Sequence, residues 1–271
     1  MQSLASQFDD SNSKVKCGDT SKKFFVTPGV DGNDAEIEIA TGRVVAQRDG
    51  KESIMMDPFL DYIPYQRLIS QAQSINTFCP NLAYCPLRVK YHICQRSQGS
   101  TQVLPAWTPE PLDAVRKTFA AKVKDWEASE ACKQLRDCLE TAHIPGPIKK
   151  IVAFACSTIA SRPVWPASIA QHCLILTLRD FFSKAGSVKA PRNIQCFAQD
   201  STYTQVDRDV LKEKGIHVLD DPRAFLEVDD STIVLSFSPD IPVRQIITDL
   251  ARPAALLWDQ VHTQGGMASD T

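Results

Sequence analysis

Five apolar runs of strand length alternate with helical segments in the second half of the chain. The runs are KKIVAFAC, NIQCFAQ, GIHVL, STIVLSFS and AALLWD, and they begin at residues 149, 193, 215, 231 and 254. Strands that are apolar along their whole length are buried on both faces, and helices between them are the crossovers of a parallel sheet. Because such crossovers are right-handed, the pattern predicts a Rossmann-like open, mostly parallel five-stranded sheet with helices on both faces.

The segments around these runs have helical spacing. They are PASIAQHCLILTLRDFFSKAG after the first run, TQVDRDVLKEKG after the second and IPVRQIITDLA after the fourth. Ahead of them, residues 112–142 predict one long helix or two, which Pro145, Gly146 and Pro147 end. We therefore expect a Rossmann-like domain with its leading helices over residues 107–262.

The remaining segments have weaker patterns. Residues 1–22 are polar and predict a mobile tail, and residues 263–271 predict a disordered tail. Residues 23–106 predict an irregular region that packs on the core, with a small hairpin suggested by the alternation in EIEIA and by Thr41-Gly42. The prolines between residues 54 and 106 favour short helices and turns, including a helix within PYQRLISQAQSIN.

Composition excludes several classes of protein. The net charge of -2 argues against a protein that binds nucleic acid by bulk charge, and we expect no DNA partner. The sequence has no run of eighteen apolar residues and no secretory pattern, so we expect no membrane partner and a cytoplasmic location. The nine cysteines form no C-x-x-C pair, which indicates reduced thiols and predicts no metal site and no cofactor.

The predicted fold restricts where a ligand can bind. In open parallel sheets, ligands lie beyond the carboxyl ends of the strands. The candidate segments are therefore those that follow the five runs, at residues 156–162, 200–203, 220–227, 236–240 and 258–259.

The turn after the first run, CSTIASR, has Ser157 and Arg162 where a dinucleotide-binding turn has glycines. Asp200 resembles the ribose-binding acid of that motif, which leaves a nucleotide-dependent oxidoreductase as a third interpretation. Ser157 is a candidate nucleophile with His172 as its base. Alternatively, Ser157 caps a turn and His172 packs within the protein, and no G-x-S-x-G elbow surrounds Ser157.

The segment HVLDDPRAFLEVDDS is the densest group of acids. Asp220, Asp221 and Glu227 could bind a cation, either a guanidinium group or Mg²⁺. Alternatively, Asp221 caps a short helix, and Asp229 and Asp230 form a turn before the next strand.

Further polar residues follow the fourth run. Ser236 and Ser238 offer hydroxyl groups there, and Arg244 either binds an anion or pairs with an acid.

A basic group lies on the predicted helix that starts at residue 112. It comprises Arg116, Lys117, Lys122 and Lys124. These residues form either a solvated helix face or a patch that contacts RNA.

The C-terminal half of the chain resembles a known family. The segments IVAFACSTIA, QHCLILTLRDFF and CFAQDSTYTQVDRDVLKEKGIHVLDDPRAFLEVDDSTIVLSFSPDIPVRQIITDLARPAALLWD occur in the order seen in the fungal branch of the sensitivity-to-red-light-reduced domain family. The resemblance covers residues 148–259, and the N-terminal region carries no signature of the family.

The resemblance has two functional implications. Plant members are linked to light and clock signalling, which implies a non-catalytic regulatory or scaffold role. A similar fungal group makes arginine-containing cyclodipeptides from aminoacyl-tRNAs, which implies a Rossmann-like catalytic domain akin to class I aminoacyl-tRNA synthetases. Bacterial cyclodipeptide synthases use a serine after the first strand as acyl acceptor. Ser157 occupies the comparable place, although the glycines usual around that serine are missing.

The leading expectation is therefore an aminoacyl-tRNA-dependent cyclodipeptide synthase that joins an arginyl group to a second aminoacyl group. Ser157 would accept the arginyl group or hold it nearby, and His172 or Tyr203 would move protons. Because the ester is already activated, neither ATP nor a cofactor is needed. We expect tRNA contacts from the basic helix and substrate contacts from the polar residues at the carboxyl ends of the strands. The expected substrate contacts are Asp200, Asp220, Asp221, Glu227, Arg162 and Ser236.

Overall fold

A computed structural model describes residues 23–29, 32–72, 85–104, 108–144, 146–161, 166–184 and 193–259. Its centre is a five-stranded sheet in which every neighbouring pair of strands is parallel. The strands are β7 (Lys150–Phe154), β8 (Gln195–Gln199), β9 (Ile216–Val218), β10 (Thr232–Ser236) and β11 (Ala255–Trp258). Each lies within one of the five apolar runs, so the prediction of a parallel five-stranded sheet is confirmed.

The strand order creates a topological switch point at one edge of this sheet. The order is β9-β8-β7-β10-β11, so the chain runs outward from β7 through β8 and β9 and then returns to place β10 on the other side of β7. The loops after β7 and β10 therefore lead away from the centre of the sheet in opposite directions. This topological switch point is where open α/β sheets bind ligands.

Helices cover the first face of the sheet. They are α2 (Leu112–Glu127), α3 (Glu130–Thr141), α4 (Pro166–Lys184) and α5 (Gln205–Glu213). Ile151 and Ala153 of β7 point to this face, where they join a core that includes Phe119 of α2 and Ile175 of α4. The long helical pattern is two helices, because the Ser129 side chain accepts a hydrogen bond from the Cys132 amide and starts α3.

The second face is covered by short helices and by strands from the N-terminal half. Val152 and Phe154 alternate with the first-face residues, and they pack with residues of α6 (Arg223–Leu226) and α7 (Val243–Leu250). Phe225 of α6 stacks on Phe154 at a ring distance of 4.4 Å and meets the ring of Tyr62 edge-on at 5.5 Å. This aromatic cluster joins the N-terminal half of the chain to the parallel sheet.

The region expected to be irregular contains two antiparallel sheets. One is the hairpin of β1 (Lys23–Pro28) and β2 (Asp34–Ile39). The other has the order β3-β4-β5-β6, with bounds Val44–Arg48, Lys51–Tyr62, Leu87–Ser97 and Val103–Leu104. The expectation of turns from residue 54 is wrong because Pro58 lies within β4, where a bulge between Met56 and Pro58 accommodates it.

Smaller sequence features are placed as follows. The predicted helix within PYQRLISQAQSIN is α1 (Tyr65–Ala72). The alternating EIEIA segment lies within the predicted hairpin, but the hairpin turns between Pro28 and Asp34, and Thr41-Gly42 leads instead into β3. The two predicted tails lie outside the described residues. Among the described helices, none is long and apolar enough to cross a membrane.

The aromatic cluster predicts a large energetic role for Phe225. Truncation of this fully buried ring in Phe225→Ala should lower the free energy of unfolding by about 3–5 kcal/mol, because it leaves a cavity between the two halves of the fold. Leu226→Ala, at the next and exposed position, should change it by less than about 1 kcal/mol. Urea denaturation of both variants measures the difference, and equal effects would contradict the assignment.

Candidate functional site

A row of four residues forms the carboxyl edge of the parallel sheet. In the strand register, Trp258 pairs with Ser236, Ser236 with Phe154, and Phe154 with Gln199. Residues paired in register point to the same face of a sheet, so these side chains lie on the second face. The loops that carry most of the predicted site residues begin directly after this row.

Ser157 lies in the loop after β7 with its backbone fixed from both sides. Its N–H donates to Asp200 Oδ2 at 2.7 Å, and its carbonyl oxygen accepts from Ser168 Oγ at 3.0 Å. Both Ala155 and Ser157 have left-handed backbone, with φ of 57° and 60°. Ser157 is only partly buried, and its hydroxyl has no hydrogen-bond partner among the described residues. The loop therefore presents a free hydroxyl on a strained, anchored backbone.

Asp207 is the residue that holds this loop. Its fully buried carboxylate accepts hydrogen bonds from the Thr158 hydroxyl at 2.9 Å and from the amides of Ile159 and Ala160 at 2.7 and 3.1 Å. It also accepts from the amide and hydroxyl of Thr204, in a capping box at the start of α5. One carboxylate thus joins the loop after β7 to the helix after β8.

His172 and Tyr203 bond to each other and not to the Ser157 hydroxyl. His172 Nδ1 lies 2.7 Å from the Ser168 carbonyl, which can only accept, so Nδ1 carries the proton. Nε2 therefore accepts from the Tyr203 hydroxyl at 2.7 Å. Burial lowers the pKa of His172 and raises the pKa of Tyr203 well above its usual value, so both groups are neutral at pH 7.

These bonds correct the predicted roles of the pair. His172 is fully buried and has both ring nitrogens engaged, so it cannot take a proton from Ser157 in this arrangement. The alternative interpretation, in which His172 packs and bonds within the protein, agrees with the structure. Tyr203, which is also buried, anchors the ring.

Asp200 is the predicted acid that contacts the Ser157 segment. Besides the Ser157 amide, its carboxylate accepts from the amide and hydroxyl of Thr202 at 2.8 and 2.7 Å. It is partly exposed. A carboxylate is therefore fixed next to the free hydroxyl.

Asp221 links the parallel sheet to the N-terminal strands. Its Oδ1 accepts from the Tyr62 hydroxyl of β4 and from the Gln199 side chain of β8, both at 2.9 Å. Gln199 in turn accepts from the Ala224 amide at 2.8 Å, so Asp221 does not cap α6. Burial raises the pKa of Asp221 to about 7, although the bonds from Tyr62, the Leu60 amide and Gln199 favour the charged form.

Asp220 is on the same edge as Ser157 but is already paired. It follows β9, two strands from β7, which corresponds to about 10 Å across the sheet. Its exposed carboxylate forms an ion pair with Arg208 of α5 at 2.6 Å. A cationic ligand would therefore exchange with Arg208.

Glu227 lies at the wrong end of the sheet for its predicted role. Together with Asp229, it pairs with Lys150, the first residue of β7, at 3.3 and 2.9 Å. The chain returns to the amino edge through α6 before β10 begins, and this return separates Glu227 from Ser157. Its predicted contact with a ligand at the carboxyl edge is wrong. Asp229 bonds to Ser231 and Thr232 in a turn before β10, as the structural alternative expected.

The loop after β10 contains the second group of polar residues. Ser236 is fully buried, and its hydroxyl has no hydrogen-bond partner in the part of the chain that the structure describes. Ser238 has left-handed backbone with φ of 47°, and its amide and hydroxyl donate to Asp259. Arg244 lies over the ring of Trp258 at 5.9 Å. Arg162, the remaining predicted substrate contact, lies outside the described residues.

Half of the predicted basic patch is neutralised within the protein. Arg116 pairs through two nitrogens with Glu213 of α5, at 2.9 and 2.7 Å, and also contacts Asp113. Lys122 pairs with Asp125 at 3.1 Å. Lys117 and Lys124 are exposed and remain available to a polyanion.

Titratable side chains at the edge do not converge on a metal. Over residues 23–259, outside the gaps given above, no group of three or more His, Cys, Asp or Glu side chains is placed to hold an ion. The arrangement suits a ligand that binds to hydroxyl groups, amides and single charges.

Comparison with known proteins identifies the domain. Residues 131–264 match the family model described as the SRR1 domain. This chain carries an SRR1 domain. The match confirms the resemblance seen in the sequence and shows that the parallel sheet, α3 to α7 and the loops at the carboxyl edge belong to that domain. No curated protein and no solved structure matches the chain.

Sequence reasoning missed three residues that organise the SRR1 domain edge. The role of Asp207 at the start of α5 could have been predicted, because Thr204 and Asp207 have the T-x-x-D spacing of a capping box. No sequence pattern indicates the roles of Gln199 and Tyr62, because their bonds to Asp221 join residues that are far apart in the chain.

Asp207 should control the stability of the Ser157 loop. Asp207→Asn puts an amide donor against groups that already donate, so the free energy of unfolding should fall by about 3 kcal/mol. Asp209→Asn, two residues along α5 and bonded only to Gln205 at its surface, is the matched control and should have little effect. Chemical denaturation measures both, and the prediction fails if Asp207→Asn unfolds like the control.

Asp221 should make stability depend on pH. Its folded pKa of about 7 exceeds the usual 3.8, so the folded protein keeps a proton that the unfolded chain has lost between about pH 4 and 7. Stability should therefore fall as the pH rises through this window, by at most about 4 kcal/mol, and remain level above it. Asp221→Asn should remove this decline, and at pH 8 its free energy of unfolding should be higher than that of the wild type. The control Asp209→Asn alters only a surface bond to Gln205 and should keep the wild-type slope.

Proposed function

We propose that the protein is an aminoacyl-tRNA-dependent cyclodipeptide synthase that makes an arginine-containing cyclic dipeptide. The parallel sheet and its helices act in this proposal as a Rossmann-like catalytic domain. The observation that carries the proposal is the state of Ser157, which lies after the first parallel strand at the switch point with an anchored backbone and a free hydroxyl. This is comparable to the place of the acyl-accepting serine in bacterial cyclodipeptide synthases, whose architecture the resemblance implies for this chain.

The reaction begins with an ester exchange at Ser157. Its Oγ attacks the carbonyl carbon of arginyl-tRNA, a new Ser157 ester forms, and the bond to the terminal ribose oxygen breaks. The proton of the serine hydroxyl passes to that oxygen. Because one ester replaces another, the step is close to balanced in energy and requires neither ATP nor a cofactor.

Two aminolysis steps complete the product. The α-amine of a second aminoacyl-tRNA attacks the Ser157 ester, which forms the first peptide bond and returns the proton to Ser157. The free amine of the resulting dipeptidyl-tRNA then attacks its own ester, which closes the six-membered ring and releases tRNA. Both steps are favoured when the two groups are held in contact, because positioning replaces a bimolecular encounter.

Acids at the edge supply binding rather than proton transfer in this scheme. Asp200, fixed beside Ser157, is placed for the ammonium group of the aminoacyl ester. Asp220 pairs with the Arg208 guanidinium, so a substrate guanidinium would replace an interaction of the same kind. Lys117 and Lys124 provide charge for tRNA, and we place the protein in the cytoplasm, where aminoacyl-tRNAs are made.

Product formation should depend on the Ser157 hydroxyl. Incubation of purified protein with charged tRNAs, followed by mass spectrometry, should show an arginine-containing diketopiperazine, and Ser157→Ala should reduce it at least about 100-fold. Ser201→Ala removes an exposed hydroxyl from the neighbouring loop and should leave product formation unchanged. Equal activity of Ser157→Ala and Ser201→Ala would exclude the acyl-enzyme step.

A second candidate function is a non-catalytic regulatory or scaffold role. It is favoured by the bonding of His172 and Tyr203, which engage each other and Ser168 and leave no titratable side chain of the pair available for chemistry. Under this alternative, the wild-type protein binds a ligand at the edge but forms no cyclic dipeptide from any pair of charged tRNAs.

A further inference from the structure

The first turn of α7 has amide groups without acceptors. Its N-cap residue, Pro242, provides no side-chain bond, and the turn contains no acidic residue. The Val243 amide bonds to the Ile241 carbonyl and the Ile246 amide to the Pro242 carbonyl. The amides of Arg244 and Gln245 have no acceptor among the described residues. Two adjacent N–H groups at the positive end of a helix are a place for an anion.

A cation is fixed beside these amides. The Arg244 guanidinium lies over the indole of Trp258, the last residue of β11. No carboxylate within the described part of the chain forms an ion pair with it. Stacking orients the planar guanidinium while leaving its N–H groups free to donate.

Ser236 provides an independent indication of a ligand. Its side chain lies on the same face as Val234, and Val234 packs with Val243 and Ile247 of α7. Because Ser236 is the last residue of β10 and α7 runs back from this edge, the Ser236 side chain lies on the face that the start of α7 covers. It is fully buried, and its hydroxyl has no hydrogen-bond partner among the described residues. A buried hydroxyl without a hydrogen bond is costly, and an anion at the helix start would satisfy it.

The nearby acids leave this place open. Asp259 is engaged by the amide and hydroxyl of Ser238, and Asp240 is exposed on the loop before α7. Neither accepts from the amides of Arg244 or Gln245 in the described structure. The donors that remain near the start of α7 are two amides, a guanidinium and a hydroxyl, which are the groups that bind the oxygens of a tetrahedral anion.

We propose that the junction of β10 and α7 is a phosphate-binding site formed by the amides of Arg244 and Gln245, the Arg244 guanidinium and the Ser236 hydroxyl. Because this hydroxyl is buried, the phosphate reaches it by entering beneath the loop that follows β10. The ligand is a phosphodiester at the 3′ end of tRNA, and this identity rests on the proposed function, whereas the phosphate site itself does not. The site adjoins the switch point, so a bound 3′ end approaches the loop that carries Ser157.

Phosphate affinity should depend on Arg244 but not on another arginine near the same helix. Titration calorimetry at constant ionic strength uses inorganic phosphate, AMP and a CCA trinucleotide as probes. Arg244→Gln should weaken binding of each probe about tenfold or more, since it removes a charge-assisted contact. Arg252→Gln removes an exposed arginine just beyond the C-terminal end of α7 and should stay within about twofold of the wild type.

Ser236→Ala separates a ligand-binding role from a structural one. It should weaken phosphate binding about threefold or more while leaving the melting temperature equal or higher, because an unsatisfied buried hydroxyl is removed. A lower melting temperature with unchanged affinity would mean that the hydroxyl serves the fold. Similar losses in Arg244→Gln and Arg252→Gln, or no wild-type binding of any probe at millimolar concentration, would overturn the site.

The probes also identify the source of the phosphate. Tightest binding of the trinucleotide supports the 3′ end of tRNA, whereas AMP binding as tight or tighter overturns that identity in favour of a free nucleotide. Ser157→Ala should keep the phosphate affinity of the wild type. If the wild-type protein binds the phosphate probes but makes no cyclic dipeptide from charged tRNAs, the proposed function is rejected and the phosphate site stands.

Discussion

The buried carboxylate of Asp207 fixes the geometry on which the candidate site depends. The loop after β7 contains two residues with left-handed backbone, a conformation that costs free energy at residues other than glycine. Five hydrogen-bond donors meet at Asp207, three from that loop and two from Thr204, and they offset this cost. Glycines are therefore unnecessary in this turn, and a side chain can occupy the position of Ser157. The same bonds connect the turn to α5, so the edge is assembled as one unit.

The N-terminal strands complete the SRR1 domain edge from the other side. The ring of Tyr62 packs on Phe225, and its hydroxyl reaches Asp221 after β9. His92 of β5 donates to the carbonyl of Ser201, in the loop after β8, at 3.1 Å. The antiparallel sheet thus contacts the two loops on one side of the switch point, whereas α7 and β11 border the other side. Residues before the matched domain therefore help to shape the candidate site.

The parallel sheet and the location of Ser157 could be predicted because both follow from local patterns. Apolar runs separated by helices specify the sheet, and the end of the first run specifies the turn. The sequence could not reveal that β4 continues through Pro58, because the bulge that tolerates a proline depends on pairing with β5. It placed Glu227 at the wrong edge because the length of α6, which returns the chain, is only four residues and has no clear pattern. Burial decided the role of His172, and a single sequence gives no measure of burial at a helix position with mixed neighbours.

Among the described residues, no side chain accepts a hydrogen bond from the Ser157 hydroxyl, and Asp200 bonds to the Ser157 amide instead, which limits the chemistry that the hydroxyl can perform. Hydrolysis of an amide requires a base to activate the serine and an acid to protonate a poor leaving group. His172 cannot provide either, because its ring nitrogens are bonded to Ser168 and Tyr203. An aminoacyl ester makes smaller demands, since its leaving group is an alcohol and the serine proton can pass directly to it. A hydroxyl without a base is better suited to activated esters than to amides, and this is the preference that the proposed aminoacyl transfer requires.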